Sequence, residues 1–68
     1  MRYRIRTLMY EGPFIGEAVL QDEFDAPSDE AAILYYEYES RRGFFDRIIL
    51  QRIDQPEIVT ELAQAEME

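Results

Sequence analysis

Eight carboxylates lie between Glu17 and Glu39 with no basic residue among them: Glu17, Asp22, Glu23, Asp25, Asp29, Glu30, Glu37 and Glu39. Carboxylates can do three kinds of chemistry. One that is buried and perturbed can act as a general acid or base. Several converging on one point can hold a hard cation. A field of them can draw in a partner with a basic surface. The rest of the chain decides among these.

Catalysis is disfavoured by what is missing. The chain has no His and no Cys, so the commonest general base and the strongest nucleophile are absent. Ser28 and Ser40 are its only serines. Ser28 reads as a helix cap, and Ser40 has no base beside it. Glu37 and Glu39 are two apart, so on a helix they diverge and form no dyad. The cluster Asp22, Glu23, Asp25, Asp29 and Glu30 lacks the central Gly and distal Glu of a calcium loop. The three glycines form no phosphate cradle. We therefore expect no enzyme, no metal site and no cofactor. Arg2, Arg4 and Arg6, with Tyr3 beside them, make a short basic stripe. Cross-strand pairing with Glu17 and Glu23 competes with nucleic acid for it, and a net charge of −8 opposes binding a polyanion.

The elements follow from periodicity. Residues 2–10 alternate, with Arg2, Arg4 and Arg6 on one face and Tyr3, Ile5, Thr7 and Met9 on the other, the period of a half-buried strand. Glu11-Gly12-Pro13 reads as a turn. Residues 14–24 alternate again, with Phe14, Ala18, Leu20 and Phe24 on one face. Matching the apolar faces makes an antiparallel hairpin in which Arg2, Arg4 and Arg6 face Glu17, Gln21 and Glu23. Ser28 is a strong N-cap followed by acidic Asp29 and Glu30. The helix runs to about Arg42, and Gly43 suits a left-handed stop. Its buried stripe is expected at Ala31, Leu34, Tyr35 and Tyr38, flanked by Ile33 or Tyr36. Residues 44–53 read as a third strand with apolar residues on both faces. Asp54-Gln55-Pro56-Glu57 can start a second helix, with Pro56 at its first position.

The expectation is an α+β fold of order ββαβ: a three-stranded antiparallel sheet with one helix across it, plus a short C-terminal helix. Residues 1–54 form the domain and 55–68 the helical tail. A single domain of 68 residues has a marginal core, and no disulfide supports it. No apolar run is long enough for a membrane span, and the Arg-studded start has no signal-peptide core. A cytoplasmic protein with no membrane partner is expected.

Two further features bear on partners. One helical stripe cannot bury Tyr35, Tyr36 and Tyr38 together. Tyr36, between Tyr35 and Glu37, is expected to be partly exposed, either as rim packing or as a contact anchor. The acidic run is either a solvated surface serving solubility or a surface that imitates phosphates.

In size, charge and element order, carried by Glu17 to Glu39 and the capped segment Ser28-Asp29-Glu30-Ala31-Ala32, the chain resembles the small acidic inhibitors encoded by phages. These include anti-CRISPR proteins, several of which act as nucleic-acid mimics. The resemblance implies a non-enzymatic inhibitor that blocks a basic, nucleic-acid-binding surface of a larger protein. Asp22, Glu23, Asp25, Asp29, Glu30, Glu37 and Glu39 would supply the charge, with Tyr36 as anchor. The other reading is a small assembly protein, a homodimer whose interface would bury Ile58, Val59 and Leu62.

Overall fold

The computed structural model describes residues 1–9, 18–43 and 45–66. The expected turn at Glu11-Gly12-Pro13, the positions Phe14, Ile15, Glu17 and Phe44, and the last two residues lie outside the described set. Five elements follow one another: β1 Arg2–Met9, β2 Ala18–Asp25, α1 Asp29–Arg42, β3 Arg47–Gln55 and β4 Ile58–Glu66. The strands form one sheet of order β2-β1-β3-β4, every neighbouring pair antiparallel. The fold is α+β, with one helix on one face of the sheet.

The first hairpin has the face matching that alternation dictates. Tyr3 pairs with Phe24, Ile5 with Asp22 and Thr7 with Leu20, while Arg4 pairs with Glu23 and Arg6 with Gln21. A slip of one residue would send Tyr3 and Ile5 into water, so burial fixes this register. On the other side of β1, Ile5 pairs with Leu50 and Thr7 with Ile48. The side that carries Tyr3, Ile5, Ile48 and Leu50 is the one the helix covers.

Two expectations are corrected: the sheet has four strands rather than three, and the C-terminal helix is a strand. Pro56 is the first central residue of a tight turn between paired Gln55 and Ile58, not the first residue of a helix. Proline presets the backbone angle that this position needs. Such a turn splays its strands, and the register shift between Ile53 and Gln55 lets the pairing recover. Residues 61–65 are good helix formers, but β3 is apolar on both faces and exposes a free edge unless a strand covers it. Pairing along Arg47–Gln55 overrides the local preference. The segment 58–66 is therefore part of the same sheet as β1, β2 and β3.

Helix α1 starts as its sequence dictates. Ser28 is the N-cap, and its hydroxyl accepts from the Ala31 N–H at 3.2 Å. Arg41 and Arg42 occupy the last turn. The stop differs from expectation. Gly43 is extended, at φ −91° and ψ 156°, not left-handed. Glycine is needed there for close approach instead, because a Cβ would sit 2.8 Å from the Phe45 ring.

The buried stripe is also corrected. Ala32 and Tyr36 are the buried helix residues, with Ile33 packed beside them. Leu34 and Tyr38, expected inside, are 67% and 57% exposed. The core comprises Tyr3, Ile5, Ala32, Tyr36, Phe45, Ile48 and Leu50. Tyr35 reaches the sheet differently, by stacking on Phe24, which stacks in turn on Tyr3. On the face away from the helix, Ile49 is nonetheless buried. Its neighbours there are Arg6, Gln64, Arg47 and Gln51, whose methylene stems can shelter it. An Arg47–Gln64 hydrogen bond ties two of these together.

Candidate functional site

The structure disperses the acidic run instead of gathering it on one surface. Asp29 is taken by the interior framework. Its Oδ1 accepts from the Tyr3 hydroxyl at 2.7 Å and its Oδ2 from Arg52 at 2.6 Å. Arg52 Nε also donates to Asp54 at 2.6 Å, and the Thr60 hydroxyl donates to the other Asp54 oxygen at 2.6 Å. The Thr60 and Arg52 hydrogen bonds hold the Asp54 carboxyl below its usual range. Burial, and then the hydrogen bond to Asp29, push the Tyr3 phenol up. This chain of bonds ties the first turn of α1 to β1, β3 and β4. Asp29 is thus a structural residue. Tyr36, expected as an exposed anchor, is 7% exposed and belongs to the core; burial raises its phenol pKa.

Four other members of the run flank the β2 edge, two on each face of the sheet. Asp22 alternates onto the helix side of the sheet, and Glu23 and Asp25 onto the open side. There Arg2 contacts Glu23 at 3.3 Å and Asp25 at 3.5 Å, in solvent. Glu39 projects from α1 toward the same edge. It and Asp22 line a groove between α1 and β2 with Ile5, Thr7, Leu20 and Tyr35, enclosing about 320 Å³. Partial burial pushes the Tyr35 phenol up, and the charges of Glu39 and Asp22 act the same way. Both carboxylates are therefore close to that ring. Leu20, at 75% exposed, forms an uncovered apolar lip.

Glu30 and Glu37 are seven apart, two turns along one exposed stripe. Helical geometry puts that stripe on the flank of α1 opposite Tyr35 and Glu39. Ile58 and Val59 lie at the start of β4, 53% and 39% exposed, whereas Leu62 packs against the core.

Sequence reasoning missed Leu20, Tyr35, Ile5 and Thr7 as parts of a groove. Three of them alternate onto the apolar side of the hairpin, which marks them as core. Their opening to solvent depends on where α1 lies across the sheet, and no local spacing encodes that. Among the described residues, no three acidic side chains assemble into a cation site, and no helix is long and apolar enough to cross a membrane. The arrangement can offer negative charge beside an apolar groove and an open strand edge. Comparisons with protein-family models, with curated proteins and with solved structures return no match.

Proposed function

We propose that this chain is a non-enzymatic acidic binding protein of the cytoplasm. It occupies a basic, nucleic-acid-binding surface of a larger protein and so inhibits it, in the manner of the phage-encoded inhibitors it resembles. The observation that carries the reading is that Asp22 and Glu39 line the groove beside the exposed Leu20 and Tyr35, while Glu23 and Asp25 flank the same β2 edge on the open face. Complementary charge would speed encounter and set orientation, and the apolar lip would add contact area.

The test compares two double reversals that alter the net charge equally. Asp22→Arg with Glu39→Arg changes the β2 edge; Glu30→Arg with Glu37→Arg changes the opposite helix flank. Partners are captured on the wild-type chain, eluted with a salt gradient and challenged with added DNA or RNA. A basic protein displaced by nucleic acid, and bound roughly tenfold or more weakly by the edge variant, is the expected result. Binding that survives the edge variant at moderate salt rules the reading out.

A second reading is a homodimer through β4. It is favoured by the exposure of Ile58 and Val59 on an edge strand. Light scattering should then give twice the chain mass, and Val59→Arg should restore the monomer. A monomer at high micromolar concentration removes this reading.

A further inference from the structure

The β2 edge presents backbone as well as charge. Met1 and Ala26 exchange both backbone hydrogen bonds across the β1–β2 pair, Ala26 N–H to Met1 at 3.0 Å and the Met1 amine to Ala26 at 2.9 Å. Hydrogen-bonded and non-bonded pairs alternate along an antiparallel ladder. Tyr3–Phe24 and Ile5–Asp22 are therefore bonded pairs, and Arg2–Asp25, Arg4–Glu23 and Arg6–Gln21 are not. It follows that Gln21, Glu23 and Asp25 turn their N–H and C=O groups outward. Among the described residues no strand pairs with them, because β2 ends the sheet. An exposed row of this kind is a template for another strand.

Resting on the proposed function, we infer that β2 takes up an extended basic segment of the partner as a fifth strand, with one of its Arg or Lys side chains lying in the groove between α1 and β2. Main-chain bonds to Gln21, Glu23 and Asp25 would supply affinity, and alternate side chains the specificity. On the helix side, the stem of an Arg or Lys would cover Leu20, Ile5 and the Tyr35 ring while its charge meets Asp22 and Glu39. On the open side, the next basic residue would meet Glu23 and Asp25, which among the described residues share the exposed Arg2. A second copy of this chain is a poor occupant. Antiparallel pairing of two β2 edges would set Asp22, Glu23 and Asp25 against their own kind, and like charges across a ladder repel.

The probe is an acetylated, amidated peptide of about seven residues in the order Thr-Arg-Arg-Thr-Arg-Arg-Thr, which puts arginines on both faces of a strand and is long enough to span β2. It is titrated into the full chain by calorimetry and followed in amide NMR spectra. A companion peptide of the same charge carries N-methyl groups at alternate backbone positions, so it cannot donate the ladder bonds. On the protein side, Gln21→Pro removes one outward N–H without changing charge, and its melting curve reports whether the fold is retained. The expected result is saturable binding, shifts at residues 20–25, 35 and 39, new exchange protection at Gln21 and Glu23, and a loss of roughly tenfold or more with the N-methylated peptide or with Gln21→Pro. Equal binding of both peptides, or shifts centred on Glu30 and Glu37, overturns strand addition and leaves the basic-partner reading standing. Failure of both peptides to bind overturns strand addition, with Asp22, Glu23 and Asp25 then guarding the edge against pairing. The partner reading is judged separately, by the double-reversal experiment.

Discussion

Gly43 shows how one residue can be correctly placed and wrongly explained. Its position after Arg42 marks the end of α1, and sequence spacing makes that plain. The reason for glycine is legible only in three dimensions, as the approach of the Phe45 ring to within 2.8 Å of where a Cβ would stand. Phe45 is buried, so its ring has little room to yield. Gly43→Ala should therefore cost about 1–3 kcal/mol, as overpacking does, despite alanine's better backbone entropy. Urea denaturation would show it as a lower midpoint at unchanged slope; an unshifted midpoint would mean that the ring moves freely. Asp54 makes a second prediction at this scale. Its pKa is lowered in the fold, first by Thr60 and then by Arg52. On acidification the unfolded chain takes up the proton first. The stability is present above the ordinary carboxyl pKa and is lost as pH falls through the lowered one, below about pH 4. Thr60→Val should lower stability at neutral pH and flatten this acid dependence. Melting curves across that range would reveal an unchanged slope if Asp54 is not the group responsible.

At the scale of elements, legibility tracked how many independent signals agreed. Ser28, Asp29, Glu30, Arg41 and Arg42 all point to the same helix, and α1 is found there. Alternation in both strands of the first hairpin fixes their relative faces, and the Arg4–Glu23 and Arg6–Gln21 pairs follow. The buried side of α1 was harder to read, because apolar or aromatic residues occur all round it. Ala32 and Tyr36, one turn apart, face the sheet, and nothing local separates Tyr36 from its neighbours Tyr35 and Tyr38. Strand β4 shows local signals in conflict. Asp54 and Pro56 imitate a helix start, and Glu61 to Ala65 imitate a helix body. What prevails is the edge of β3, which carries Ile48, Ile49 and Leu50 in succession, all buried. This predicts that β4 is indispensable. Deleting residues 56–68 should expose that edge and the core side of Leu62 and Ala63. The truncated chain should lose its cooperative melt and aggregate, as judged by circular dichroism and light scattering. A truncated chain that melts cooperatively would mean that the three remaining strands and α1 suffice.

The whole molecule is organised by where its charges fall. Four of the seven arginines, Arg2, Arg4, Arg6 and Arg47, share the open face of the sheet, set by the register of β1 and β3. Arg2 and Arg47 reach acidic residues at the two sheet edges, and Arg4 is held by Gln51. The excess negative charge is left on the helix side and along the edges. Most of the ion pairs are solvent-exposed, such as Arg2–Glu23 and Arg42–Glu39, and pairs of that kind are worth about 0–1 kcal/mol each. A net charge of −8 on a body whose longest extent is 38 Å works against them. At about 0.1 M salt the screening length is roughly 10 Å, short enough to uncouple charges at opposite ends of the molecule. Screening should therefore relieve more repulsion than it removes attraction. Between about 0.02 and 0.5 M sodium chloride the melting temperature should rise, by roughly 4–8 °C for each kcal/mol recovered in a domain of this size. Over the same range, affinity for a basic partner should fall, because that contact is an attraction across the solvent-exposed β2 edge. Opposite responses of stability and binding to one variable separate self-repulsion within the chain from attraction between chains. A melting temperature that falls with salt would instead make the ion pairs, and not the residual charge, the dominant electrostatic contribution to this fold.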